Sequence, residues 1–220
     1  MPKPFKDIDI KKRADIPQAV ITRLPRYYRF LGMLKNTGMV RISSRELADR
    51  MGLSASQIRQ DLNCFGGFGQ QGYGYNIESL QNEIGKILGV DRGFKTVLIG
   101  AGNLGHTIAT QIDFQKRGFE IIGIFDKNET IAGHMIGDLP IRPSSDIEDF
   151  CKENLVEVAV LCIPHEEAPP VVDLLVECGV KGFWNFSHYN INEKYPRVAV
   201  ENVHFNDSLM TLCYQVMNLE

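Results

Sequence analysis

The chain has 220 residues, 44% of them hydrophobic, and a formal net charge of −3, enough for one large or two small domains with a buried core. No apolar run approaches the roughly 20 residues of a membrane span. Residues 1–15 are charged and lack the apolar stretch of a signal peptide, so the expectation is a cytoplasmic protein with no membrane partner. The charge is uneven: residues 1–60 hold 13 Lys and Arg against 5 Asp and Glu, whereas residues 61–220 hold 11 against 22. A basic third on an acidic body is the pattern of a nucleic-acid-binding module joined to a second module. The five cysteines, Cys64, Cys151, Cys162, Cys178 and Cys213, include no Cys-x-x-Cys pair and read as reduced thiols.

In chain order, residues 17–37 read as a helix that opens at Pro17, is kinked at Pro25 and stops at Gly38. Ile21, Leu24, Tyr28, Leu31 and Leu34 recur along it at helical spacing. Two capping boxes follow, Ser43-Ser44-Arg45-Glu46 and Ser54-Ala55-Ser56-Gln57. They open two short helices around Gly52-Leu53, a helix-turn-helix whose small core is Leu47, Ala48, Leu53, Ile58 and Leu62. Residues 66–75 contain five glycines and three aromatics, which suits a β-hairpin wing and not a helix. A helix over 76–88 and a linker over 89–93 end this half.

The second half alternates. Strands are expected at 96–99, 120–125, 156–163 and 182–186, and helices at 104–116, 145–153 and 170–178. That order calls for a parallel sheet covered on both faces, and the near-continuous apolar strands agree. A last helix spans 206–217. The glycine motif Gly100-Ala101-Gly102-Asn103-Leu104-Gly105 directly follows the first of these strands and opens the next helix. Gly100 permits the tight turn, Gly102 lets a pyrophosphate approach the helix N-terminus, and Gly105 allows close helix–strand packing. Asp126 ends the second strand 21 residues after Gly105, where a carboxylate accepts bonds from an adenosine ribose. It would repel a 2′-phosphate, and Lys127 beside it would soften that discrimination. Pro164, in the loop after the 156–163 strand, should border the cofactor, and neighbouring His165 reads as an exposed loop histidine. These residues point to NAD⁺ or NADH, with CoA or another nucleotide as the open alternative.

In the second capped helix, Ser54, Ser56, Gln57, Arg59 and Gln60 are the candidate DNA contacts, since Arg and Gln read base edges while Ser and the helix N-terminus suit phosphates. Arg41, Arg45 and Arg50 could flank the groove, and the wing offers Gln70, Gln71, Gly72 and Tyr73. The fold expectation is α/β: a winged helix-turn-helix over 1–88, a Rossmann-like parallel sheet over 89–205 and a C-terminal helix over 206–220.

Together these segments resemble the Rex family of bacterial redox-sensing repressors. The resemblance runs from about Ile16 to Met217 and is most specific at Ile16-Pro17-Gln18-Ala19, Arg23-Leu24-Pro25-Arg26-Tyr27-Tyr28-Arg29 and Gln57-Ile58-Arg59-Gln60-Asp61-Leu62; Phe65-Gly66, Gly72-Tyr73-Gly74-Tyr75, the glycine motif and Gly182-Phe183-Trp184-Asn185-Phe186 add to it. It implies a homodimer whose C-terminal helices swap across to the partner. It also implies binding to palindromic A/T-rich operators when NADH is scarce, and release when the NADH-bound dimer closes. Phe205 matches the aromatic that approaches the partner's nicotinamide. Phe114 stands where many members have tyrosine, and His204 where many have aspartate, two groups that couple in the family to an arginine matched by Arg23. Asp207 is a partial substitute. Gln70-Gln71 stands where Lys or Arg is common. These departures imply an altered, weaker NADH response, and one that depends on pH, since histidine titrates near neutrality. The rival readings are an NAD-dependent oxidoreductase with a helical cap, for which His165 and His188 are the nearby histidines, a CoA-binding repressor and a protein-interaction adaptor.

Overall fold

A computed structural model describes residues 16–65 and 73–219, and the chain divides into two compact units between Asp91 and Arg92. The first unit contains α1 (Gln18–Asn36), β1 (Arg41–Ile42), α2 (Ser44–Met51), α3 (Ala55–Asn63), β2 (Tyr75–Asn76) and α4 (Ile77–Leu88). Both expected caps form: the Ser43 hydroxyl accepts the Glu46 N–H at 3.0 Å, and the Ser54 hydroxyl accepts the Gln57 N–H at 3.1 Å. Gly52, at φ +65°, ends α2 in the left-handed region that glycine enters freely. Of the expected wing, residues 66–72, which include Gln70, Gln71 and Gly72, lie outside the described residues. Its last residue, Tyr75, pairs antiparallel with Ile42, and Asn76 pairs with Arg41.

The second unit contains β3 (Phe94–Ile99), α5 (Asn103–Gln111), β4 (Phe119–Asp126), β5 (Met135–Ile136), β6 (Leu139–Pro143), α6 (Ile147–Glu153), β7 (Val158–Leu161), α7 (Ala168–Glu177), β8 (Gly182–Asn185), α8 (Ile191–Lys194), β9 (Ala199–Asn202) and α9 (Phe205–Met217). Its strands form one sheet in the order β5-β6-β4-β3-β7-β8-β9, parallel except for the β5–β6 pair. Alternation along β3 sends Val97 and Ile99 into one core with Phe150, Val172 and Leu175, and Leu98 into another with Ile108, Phe114 and Ile141. Both faces are therefore covered, as the apolar strands demand.

The helix expected over 104–116 stops at Gln111. Ile112 turns extended at ψ 122°, which carries Phe114 into the second core at 8% exposure, before a 3₁₀ turn over Gln115–Arg117 leads to β4. A longer helix would forfeit that burial. The short elements β1, β5, β6, α8 and β9 carry too few residues for a periodic signal. No residue of α9 is buried, and Phe205, Leu209, Met210, Leu212, Tyr214, Val216 and Met217 are each more than half exposed.

One buried carboxylate joins α1 to α3. Asp61 is 1% exposed and accepts four bonds: Arg23 Nε at 2.6 Å, Arg23 Nη2 at 2.8 Å, the Tyr27 hydroxyl at 2.7 Å and Gln57 Nε2 at 2.8 Å. This explains why Tyr27 is fully buried whereas Tyr28, the residue expected in the apolar stripe, is only partly so: the core admits the tyrosine whose hydroxyl has a partner. Burial raises the Asp61 carboxyl, but the bonds from Arg23, Tyr27 and Gln57, with the Arg23 charge, together outweigh it and hold the carboxyl below the usual aspartate range. Folding therefore lowers its proton affinity, so its contribution is complete above the ordinary aspartate value of about 4 and fades as the pH falls through the lower folded value. Asp61→Asn should lower stability at pH 7 by about 3 kcal/mol, as breaking a buried pair does, and should flatten the acid dependence of the melting temperature. An unchanged melting temperature at pH 7 would refute the role.

Candidate functional site

The glycine turn sits at the point where the sheet order reverses, between β4 and β7, the position at which open α/β sheets bind ligands. It is pinned on both sides. The Gly100 N–H donates to the Phe125 carbonyl at 2.8 Å, and the Cys162 N–H donates to the Ile99 carbonyl at 2.8 Å. Gly100 has φ +95°, and a Cβ there would stand 2.5 Å from the Cys162 carbonyl oxygen. A Cβ on Gly105 would stand 1.8 Å from the Gly100 carbonyl oxygen, so α5 can lie this close to the turn only with glycine at 105. Gly102 differs: a Cβ there would meet nothing within 4 Å. It opens α5 with no side-chain cap, which leaves the first N–H groups and the positive end of the helix dipole to an anion. Asn103 and Leu104 are also exposed, while Ala101 and Gly105 are buried. The turn thus fits a phosphate-bearing ligand: the rigid positions are filled and the approach position is open.

Asp126 ends β4 beside this turn. Its Oδ2 accepts the Ala101 N–H at 2.7 Å and its Oδ1 accepts the Asn128 N–H at 2.8 Å, so both oxygens are held in place and each retains a second lone pair. Lys127 is ion-paired with Glu167, a residue the sequence reading did not single out. Pro164 is exposed and precedes the 3₁₀ turn His165–Glu167 after β7. Phe114 lies in the core, edge-on to Trp184 with ring centroids 6.2 Å apart. Phe205 is 59% exposed, 5.9 Å from the Phe186 ring. His204 precedes α9 and stacks on His188, Nδ1 to Nδ1 at 2.5 Å, so the histidine cluster near the ends of β8 and β9 includes His204 as well as His188. His188 has φ +61°, alone among described non-glycine residues. Asp207, in the first turn of α9, donates its N–H to the His204 carbonyl at 3.2 Å. Burial pushes the Cys162 thiol up to about 12, and burial together with neighbouring Cys178 does the same to Cys151, so neither is a thiolate at neutral pH.

On the first unit, Ser56, Arg59 and Gln60 lie exposed on α3 and Ser54 at its N-cap, with the two hydroxyls 2.9 Å apart and Arg59 donating to the Ser44 hydroxyl at 3.1 Å. Arg41 is exposed on β1 and donates to the Tyr73 carbonyl at 3.4 Å, bringing the strand and the wing's exposed Tyr73 together. Gln57 departs from the expectation of a free base reader, because its amide group is tied to Asp61. Arg23 is likewise bonded to Asp61. The clue in the sequence was the four-residue spacing of Gln57 and Asp61, which puts both on one helix face.

Residues 15–63 match a family model of a "DNA-binding protein N-terminus", and residues 91–189 match one of a "CoA binding domain". The chain is 52% identical to the redox-sensing transcriptional repressor Rex of Clostridioides difficile (strain 630), covering 91% of this chain and 95% of that protein. It is 49% identical to the protein of the same name from Thermoanaerobacter pseudethanolicus (strain ATCC 33223 / 39E), covering 94% and 92%. Among solved structures, that of RSP in complex with beta-NAD+ and operator DNA has a TM-score of 0.84 and 48% identity over 91% of this chain and 92% of that one. RSP in complex with beta-NADH gives 0.84 and 45% over 91% and 94%. On this likeness over nearly its whole length, the chain belongs to the Rex family of redox-sensing transcriptional repressors.

Proposed function

We propose that this chain represses transcription by binding operator DNA through α3 and the β1–β2 wing, and that it lets go when NADH occupies the glycine turn. The observation that carries the reading is the turn itself: an uncapped helix N-terminus, an open Gly102 and a fixed Asp126 carboxylate in one place. Gly100 to Gly105 would hold the pyrophosphate, and Asp126 the adenosine ribose. Lys127 and Pro164 would flank them. The bound nicotinamide would supply the reduced or oxidised state that is sensed, with no bond made or broken by the chain. That fits a family of repressors, and the oxidoreductase reading is set aside. Phe114, buried beside Trp184, would shape the nicotinamide end from the core side, and Phe205 would approach the nicotinamide held by the partner. Ser54, Ser56, Arg59, Gln60, Arg41 and Tyr73 would contact DNA, with Gln70, Gln71 and Gly72 completing the wing. Gln57 would orient the helix through Asp61.

A second copy of the chain would cover α9, whose large apolar residues are each more than half exposed. Coupling would fall to Arg23, His204 and Asp207, with Arg23 sharing its guanidinium between that role and Asp61. No described helix is long and apolar enough to cross a membrane, and the proposed DNA partner would place the chain in the cytoplasm.

A labelled palindromic operator should be bound by the chain alone and with NAD⁺, and be released as NADH is added; equal affinity with both nucleotides rejects the sensor reading. Gly102→Ala should keep the melting temperature and weaken NADH binding about tenfold or more, whereas Gly105→Ala should unfold the second unit; unimpaired NADH binding by Gly102→Ala would place the ligand elsewhere. Light scattering should find a dimer, and a chain ending at Asn202 should be monomeric. An unchanged mass after truncation would assign the dimer to another surface.

A further inference from the structure

We propose that Glu167 makes this site prefer a dinucleotide with a free 2′-hydroxyl over one with a 2′-phosphate, by keeping the Lys127 ammonium from the ribose. The proposal rests on the dinucleotide reading above. Lys127 directly follows Asp126 at the end of β4, and Glu167 closes the 3₁₀ turn after β7. Because β3 lies between β4 and β7, the ion pair between residues 40 apart in the chain crosses the end of β3, where the glycine turn begins.

A 2′-phosphate brings about two negative charges to a place beside the Asp126 carboxylate. Asp126 cannot turn away, since its two oxygens are bonded to Ala101 and Asn128. Accommodation would need a cation. Arg142, on the neighbouring strand β6, has its guanidinium 5.1 Å from the centre of the Phe150 ring, on the face of the sheet that α6 covers. Lys127 is 70% exposed on a flexible stem and is the cation nearest in sequence to Asp126. Its ammonium is spent on Glu167. A phosphate would have to share that ammonium with, or draw it from, a carboxylate that is only 30% exposed and that adds its own repulsion. A 2′-hydroxyl makes no such demand, so the pair discriminates against the phosphorylated cofactor alone.

The experiment is a fluorescence titration of the full chain with NADH and with NADPH, compared as a ratio of dissociation constants. Glu167→Gln should narrow the NADPH-to-NADH ratio about fivefold, the upper range for an exposed pair, with NADH binding itself nearly unchanged. Glu167→Ala should do the same. The double variant Glu167→Gln/Lys127→Ala should lose the gain, because the released cation is gone. If both single variants keep the wild-type ratio, or if the double variant keeps the narrowed one, Glu167 does not act through Lys127 and the inference fails while the dinucleotide reading stands. If the wild-type chain binds neither nucleotide, the dinucleotide reading fails and takes this inference with it.

Discussion

The second unit is organised by a steric constraint between two glycines. Helix α5 approaches the end of β3 so closely that a side chain at residue 105 would enter the carbonyl oxygen of Gly100. That approach sets the helix N-terminus at the end of β3, the strand on which the sheet order reverses. The turn's backbone is then tied to both neighbouring strands, so neither its position nor its dipole is free to wander. Preorganised N–H groups cost a ligand little ordering, and this is what suits a sensor that must respond to small changes in a nucleotide ratio. Gly102 contributes by leaving room and not by packing.

A polar constraint plays the corresponding part in the first unit. Asp61 gathers Arg23, Tyr27 and Gln57 around one buried carboxylate, and in doing so fixes the helix that carries Ser54, Ser56, Arg59 and Gln60 against α1. A fully satisfied buried charge specifies one arrangement more sharply than apolar contact does. For DNA recognition the arrangement matters more than the stability, since half-site spacing is read by rigid helices. Gln57 illustrates the trade: its amide serves the helix's position.

Phe114 and His204 each have a defined physical setting. A phenylalanine packs fully into the core beside Trp184 with no hydroxyl to satisfy. His204 finds a partner in His188, whose backbone is left-handed. Each side chain is thus accommodated locally, within the second unit.

The sequence by itself determined whatever is local. Ser43 and Ser54 bond N–H groups three residues on, Gly52 and Gly100 take conformations that only glycine adopts cheaply, and the alternating apolar strands dictate a sheet covered on both faces. These are interactions within a turn or two of chain, so spacing alone reveals them. The tertiary structure decided the choice of partners across 16 to 40 residues: Asp61 for Arg23, Glu167 for Lys127 and His188 for His204. It also chose Tyr27 over Tyr28 for burial and ended α5 at Gln111 so that Phe114 could enter the core. A charge or a ring has many possible partners along a chain, and only the strand order and the packing of helices bring one of them within bonding distance.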